Sequence, residues 1–161
     1  MALDGRQTIL FLNELGRKVP EVVFGVRVEG IKLAEGLLKR RVFTEGKGDI
    51  YGKKLSPYSE GYAKKRKNAL LQTAKKDLQY TGALSGAIKI RKESKDETSL
   101  INSATEYPNS GLTTLDVAEF HEKEENTTIF AMSDKELQRI EKAMDRAIEI
   151  ALDKLDKSLP R

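Results

Sequence analysis

The chain reads as an α+β protein: a small antiparallel sheet (a hairpin plus one further strand) packed by long N-terminal and C-terminal helices. Three observations predict this. Apolar residues recur at helical spacing near both ends, as Val22, Val26, Leu33 and Leu37 and again as Leu137, Ile140, Met144, Ile148, Ala151 and Leu155. Between them, Ile88 and Ile90 alternate with Lys89 and Arg91, the period of a half-buried strand. A length of 161 residues suits a single domain over residues 1–161.

Residues 6–18 predict a first helix, with Ile9, Leu10, Leu12 and Leu15 on one side and Gly16 and Pro20 ending it. Pro20 suits the first turn of a second helix, where its missing N–H costs nothing. That helix fades after Arg41. Gly25 and Gly30 weaken it by up to ~1 kcal/mol each relative to Ala, and they leave room for another backbone to approach. Residues 42–55 carry Gly46, Gly48 and Gly52 among charges and read as a long mobile loop. Loops of that length in compact domains are usually functional or disordered. Ser56 then caps a helix with Pro57 at its first position. This helix places Tyr58, Tyr62 and Ala63 on one side and Lys64 to Lys67 around the rest. It continues through Leu70, Leu71 and Ala74 to Leu78.

Thr81 caps a short turn containing Leu84. Strands over Ala87–Lys92 and Thr98–Ser103 flank a polar turn at Glu93–Glu97 and form the hairpin. Residues 104–114, with Pro108, Asn109 and Gly111, are loop. Leu115–His121 forms a short helix offering Val117, Ala118 and Phe120 to the core. The β-branched and aromatic run Thr127–Ala131 supplies the third strand. Ser133 and Glu136 form a capping box, each satisfying a backbone donor of the other. It opens the last helix, Asp134 to Lys157, where burying each large apolar residue contributes about 1.5–3 kcal/mol.

Composition narrows the chemistry. With 39% hydrophobic and 34% charged residues, the core is modest and much surface is charged or faces a partner. There is no Cys, which removes disulfides, thiolate metal sites and cysteine nucleophiles. No apolar run approaches the ~18 residues a membrane span requires, and no basic-then-apolar leader opens the chain. The expectation is a protein made and used in a cytoplasm, with no membrane partner. Charge is distributed unevenly: residues 39–76 hold twelve Lys/Arg against three acids, whereas residues 116–157 hold twelve acids against seven bases. A basic middle and an acidic end attract a second copy or a polyanion. Two solvated faces would show the same pattern.

No catalytic constellation emerges. His121 has neither a second His nor a Cys for a metal site, and no nucleophile is marked beside it. Gly46 and Gly52 are separated by five residues rather than four, Lys53 is followed by Lys54 rather than Ser or Thr, and no buried strand precedes them, so a phosphate loop is not supported. The acid pairs Glu124–Glu125 and Asp153–Asp156 read as solvated helix faces. No cofactor or metal is implied, and an enzyme is the least expected class. The basic segment, with Tyr51, Tyr58 and Tyr62, suits solvated surface, protein contact or nucleic-acid phosphates.

The stretch Asp49–Ile90, DIYGKKLSPYSEGYAKKRKNALLQTAKKDLQYTGALSGAIKI, has an unusual order of parts. A loop with Tyr51-Gly52 and Leu55-Ser56 leads to a helix with Lys64 and Lys65, then to Leu78 and Thr81-Gly82-Ala83-Leu84. The hairpin, the VAEFHE helix and IFAMSDKEL before the last helix follow. This order resembles the tail-completion, or head–tail joining, proteins of long-tailed bacteriophages, across residues 45–155. Two features depart from the family pattern: Thr128 and Ile129 stand where an Arg-Pro is usual, and Lys53 stands where a Trp is common. VAEFHEKE also lacks the glycine that often follows there.

The resemblance implies a non-enzymatic virion protein of the phage neck or tail, assembled in the host cytoplasm. It implies rings, often six-fold, contacting head-side adaptor and stopper proteins and tail terminator or tube proteins. DNA would pass through the lumen without sequence-specific binding. Tyr51, Lys53, Lys54 and Tyr58 are the expected partner-binding residues. The alternatives are a basic nucleic-acid-binding module and another tail component such as a terminator.

Overall fold

The computed structural model describes residues 5–74, 76, 78, 82–92, 98–107 and 110–158. The architecture is α+β, with a long helix at each end of the chain and a two-stranded antiparallel sheet between them. Helix α1 spans Gly5–Lys39 and passes into a π-helical turn at Arg40–Thr44. Helices α2 (Glu60–Asn68) and α3 (Ala83–Ala87) precede strands β1 (Ile88–Lys92) and β2 (Thr98–Asn102). Helices α4 (Thr114–Glu125) and α5 (Asp134–Ser158) complete the order.

α1 is one helix where the sequence predicted two. Pro20 lies inside it rather than at a new start. Pro20 cannot donate to the Gly16 carbonyl, but Gly16, Arg17, Val19 and Pro20 are all exposed, so water can serve that carbonyl. Val26, Ala34 and Leu38 face inward at four-residue spacing, and Gly30 completes the row. A Cβ on Gly30 would lie 2.7 Å from Met144 Sδ, so glycine there lets α5 pack closely on α1. Gly25, expected to serve the same purpose, has nothing within 4 Å of its Cβ position.

α1 and α5 run antiparallel. Arg41 meets Glu136 at one end, and Lys18 Nζ donates to Ser158 Oγ at the other. The first turns of α1 therefore continue beyond Ser158, with Ile9 and Leu12 exposed. The predicted stripe of α5 holds at Ile140, Met144, Ala151 and Leu155, but Leu137 and Ile148 are exposed.

The hairpin has the predicted alternation. Ile90 pairs with Leu100 and Ile88 with Asn102, Ile88 is buried, and Lys89 and Arg91 point to water. Both strands contact α1. The Thr81 cap, the Glu93–Glu97 turn, Pro108 and Asn109 lie outside the described residues. Gly82 occupies the N-cap of α3 with φ of 76°, which glycine adopts without strain.

Other expectations are corrected. α2 begins at Glu60, not after Ser56, and it ends at Asn68, so residues 69–74 are not helical. α4 is longer than predicted: the Thr113–Asp116 capping box fixes its start, and it runs on to Glu125, where Asn126 ends it in the left-handed region. Phe120 on α4 is 61% exposed rather than part of the core. Residues 127–131 are not a strand. The Ile129 and Phe130 amides donate to Glu122 Oε1 at 2.7 and 2.9 Å, and the Thr128 carbonyl accepts from Ile50 N. Side chains serve backbone groups that a neighbouring strand would have served. Ser133 and Glu136 do form the predicted capping box.

The core gathers Leu38, Val42, Phe43, Leu55, Leu78, Leu84, Ile88, Ala118 and Ile129. Residues 42–44, predicted as loop, are part of the π-helical turn, and Val42 and Phe43 are buried. The wider turn shifts the phase of α1, so that Arg41, Val42 and Phe43 all reach the interior.

Candidate functional site

Residues 46–55, within the predicted loop, form a compact hydrogen-bonded projection. Its two arms meet at an antiparallel bridge between Lys47 and Lys54, and Leu55 N donates to Gly46 O at 3.4 Å. Asp49 organises the turn between them. Its Oδ1 accepts from Tyr51 N at 3.1 Å and from Lys53 N at 2.5 Å, and Gly52 N donates to Asp49 O at 3.1 Å. Gly52 takes φ of 84° at the tip. The base is fixed to the core: Leu55 is buried, and a Cβ on Gly48 would sit 1.9 Å from Leu55 Cδ2.

Arg41 locks this base to the rest of the protein. Its guanidinium donates to both Glu136 carboxylate oxygens at 3.0 and 3.2 Å. It also donates to the carbonyls of Gly48 at 2.6 Å, Ile129 at 3.1 Å, and Ala131. One buried side chain thus joins the end of α1, the projection, the 129–131 segment and the start of α5. The planar fork of arginine suits this many directed donors.

Of the four residues expected to bind a partner, Tyr51, Lys53 and Lys54 lie together at the exposed tip, and Tyr51 is 86% exposed. Tyr58 is not with them. It is half-buried, with its ring 5.1 Å from that of Tyr62 and its hydroxyl accepting from Leu78 N at 3.2 Å. The Arg66 guanidinium stacks 4.6 Å from the Tyr58 ring centre.

Tyr58 instead forms part of a pocket of about 490 Å³ between α2 and α4, with Tyr62, Leu84, Tyr107, Phe120 and His121 among its walls. Lys76 and Glu124, also among its walls, belong with Glu125 to a charged cluster whose two acids the sequence placed on a solvated helix face. Lys76 Nζ is buried between Glu124 Oε2 at 2.7 Å and Glu125 Oε1 at 2.8 Å. Glu125 also accepts from the Ser56 amide and hydroxyl. Burial opposes the charge on Lys76, but its two carboxylate bonds outweigh this and raise its pKa. The Lys76 bond lowers Glu124 against a smaller opposing effect of burial. Burial works against the ionised form of Glu125, yet the bonds from Lys76 and Ser56 still lower it. Burial and the nearby Lys76 charge push His121 down, with Glu124 opposing. His121 Nδ1 lies 3.5 Å from Glu124 Oε2 and makes no hydrogen bond.

The basic middle is therefore not one surface. Arg41, Arg66 and Lys76 are buried and bonded, whereas Lys53, Lys54, Lys64, Lys65 and Lys67 are exposed. The acidic end divides in the same way, because Glu122, Glu125 and Glu136 hold backbone or basic groups inside the fold. The available signals were weak. Only Glu136, three residues after Ser133, had a sequence pattern pointing inward. Among the described residues, no group of three or more His, Asp and Glu side chains is placed to hold a metal ion, and no helix is long and apolar enough to cross a membrane. No protein-family profile, curated protein or solved structure matches the chain.

Proposed function

We propose that this chain is a non-enzymatic structural protein of a bacteriophage neck or tail, completing the tail or joining it to the DNA-filled head as one subunit of a ring. The order of sequence parts from the loop to the last helix supports this reading. The observation that carries it furthest is the presentation of the loop: Tyr51, Gly52, Lys53 and Lys54 are all exposed on a hydrogen-bonded frame whose base is buried. A tip held this way meets a partner with little ordering cost, which is what an assembly contact requires. Its partners are other copies of the chain, adaptor or stopper proteins on the head side, and terminator or tube proteins on the tail side.

Joint charge reversal, Lys53→Glu with Lys54→Glu, tests the role of the tip. Both side chains are exposed, so the fold should persist, as circular dichroism would show. Infectious yield should fall as heads and tails fail to join. An unchanged yield would remove the tip from the assembly contact. The exposed lysines at 53, 54, 64, 65 and 67 favour one competing reading, a nucleic-acid-binding module. That reading requires tight DNA binding by the isolated protein, weakening steeply with salt. The neck reading requires weak binding or none.

A further inference from the structure

We infer that Tyr51 of one subunit seats in the pocket beside Phe120 of a second copy of this chain, with Lys53 and Lys54 against the acidic α4 of that copy. The inference rests on the ring reading and specifies its subunit contact.

Three observations lead to it. First, Tyr51 is 86% exposed on a hydrogen-bonded frame. Asp49 fixes the amides of Tyr51 and Lys53, and Ile50 is tied to Thr128. Large aromatic side chains presented on preorganised turns are the usual anchors of protein interfaces. Second, the pocket is of a size and character to receive such an anchor. Its volume is about 490 Å³, its walls include Tyr58, Tyr62, Leu84 and Tyr107, and Phe120 stands 61% exposed at the rim. Offset and edge-on aromatic contacts favour a ring in that setting.

Third, the charges complement each other. Residues 47–54 carry Lys47, Lys53 and Lys54 against Asp49, whose carboxylate is committed to the turn. Of the α4 acids, Glu122 and Glu125 are tied inside the fold, which leaves Asp116, Glu119 and Glu124 exposed against the exposed Lys123, with Glu124 also bonded to the buried Lys76. Tip and pocket are different patches of one chain. Their contact is therefore heterologous and repeats from subunit to subunit, closing a ring when the rotation allows.

Two experiments on the full chain test the contact. In the first, sedimentation velocity follows self-association of the wild type and of Tyr51→Ala and Phe120→Ala, which alter exposed side chains only. Each variant should associate at least about tenfold more weakly, equivalent to 1.4 kcal/mol. An equimolar mixture of the two should form pairs and nothing larger, because each pair has one intact tip and one intact pocket. In the second, the absence of native cysteine allows Lys53→Cys combined with Glu119→Cys, which leaves Tyr51 and Phe120 in place, to be treated with a short bis-maleimide. A ladder of linked subunits is expected. A mixture of the two single cysteine variants should stop at linked pairs.

Wild-type association by both alanine variants, or no linkage in the double cysteine protein, would overturn the inference. Neither result would bear on the neck assignment, which fails separately if particles lacking this protein still carry joined tails.

Discussion

Replacing Arg41 by alanine should cost more stability than any other single change to a charged residue in this protein. The guanidinium is 8% exposed and faces Glu136, which is 7% exposed. Its removal leaves a buried carboxylate whose remaining partner is Ser133, and it strips donors from the carbonyls of Gly48, Ile129 and Ala131. Breaking a buried ion pair from one side costs about 3–5 kcal/mol. Each orphaned carbonyl adds up to 1–3 kcal/mol, about, where water does not enter. Against a total stability of about 5–15 kcal/mol for a domain, the variant should be near or past the edge of folding.

Urea denaturation followed by circular dichroism measures the effect. With a slope of about 1–3 kcal/mol per molar urea, the midpoint should fall by at least about 1 M. Arg41→Lys keeps the charge but cannot direct donors to three carbonyls and a carboxylate together, so it should recover less than half of the loss. Arg41→Met combined with Glu136→Leu should be more stable than Arg41→Met alone, because no unpaired carboxylate remains buried. A loss under about 1 kcal/mol for Arg41→Ala would refute the hub.

Other outcomes follow from the same geometry. Gly48→Ala should destabilise by about 1–3 kcal/mol, because its Cβ would collide with Leu55, whereas Gly52→Ala meets no atom and should cost about 1 kcal/mol through its left-handed backbone. Both are read from denaturation midpoints. Glu122→Ala removes the acceptor of the Ile129 and Phe130 amides and should cost about 1.5–3 kcal/mol, with faster amide exchange at those two residues. Stability should also fall on acidification below pH ~6.5. The folded state holds His121 neutral, while the unfolded chain takes up the proton. His121→Phe should flatten that step, and the later loss, as Glu124 and Glu125 are protonated through their lowered folded values, should remain. Lys76, raised in the fold, contributes stability that is lost only at strongly alkaline pH.

The parts of the fold that were legible in the sequence are those governed by periodicity. The alternation of Ile88 and Ile90 placed a strand, the Ser133–Glu136 spacing placed a cap, and the apolar spacing placed two long helices. Local rules misled where tertiary structure outweighed them. Pro20 marks a helix boundary on propensity, yet it sits on an exposed face where the lost hydrogen bond is cheap. The run Thr127–Ala131 has strand composition, but Glu122 and Arg41 supply its hydrogen bonds. The candidate site was half legible. Glycines and charges marked the loop and its exposed residues, because a tip needs no long-range partner to be exposed. The pocket was not visible, because Tyr58, Leu84, Tyr107 and Phe120 are brought together from distant parts of the chain. Nor could charge counting separate Arg41, Arg66 and Lys76, which turn inward, from the lysines that remain in water.

The proposed role in the phage neck is tested most directly by negative-stain electron microscopy of a lysate in which this gene alone is silenced. The account predicts DNA-filled heads lying beside free, unattached tails. Normally joined virions would contradict it.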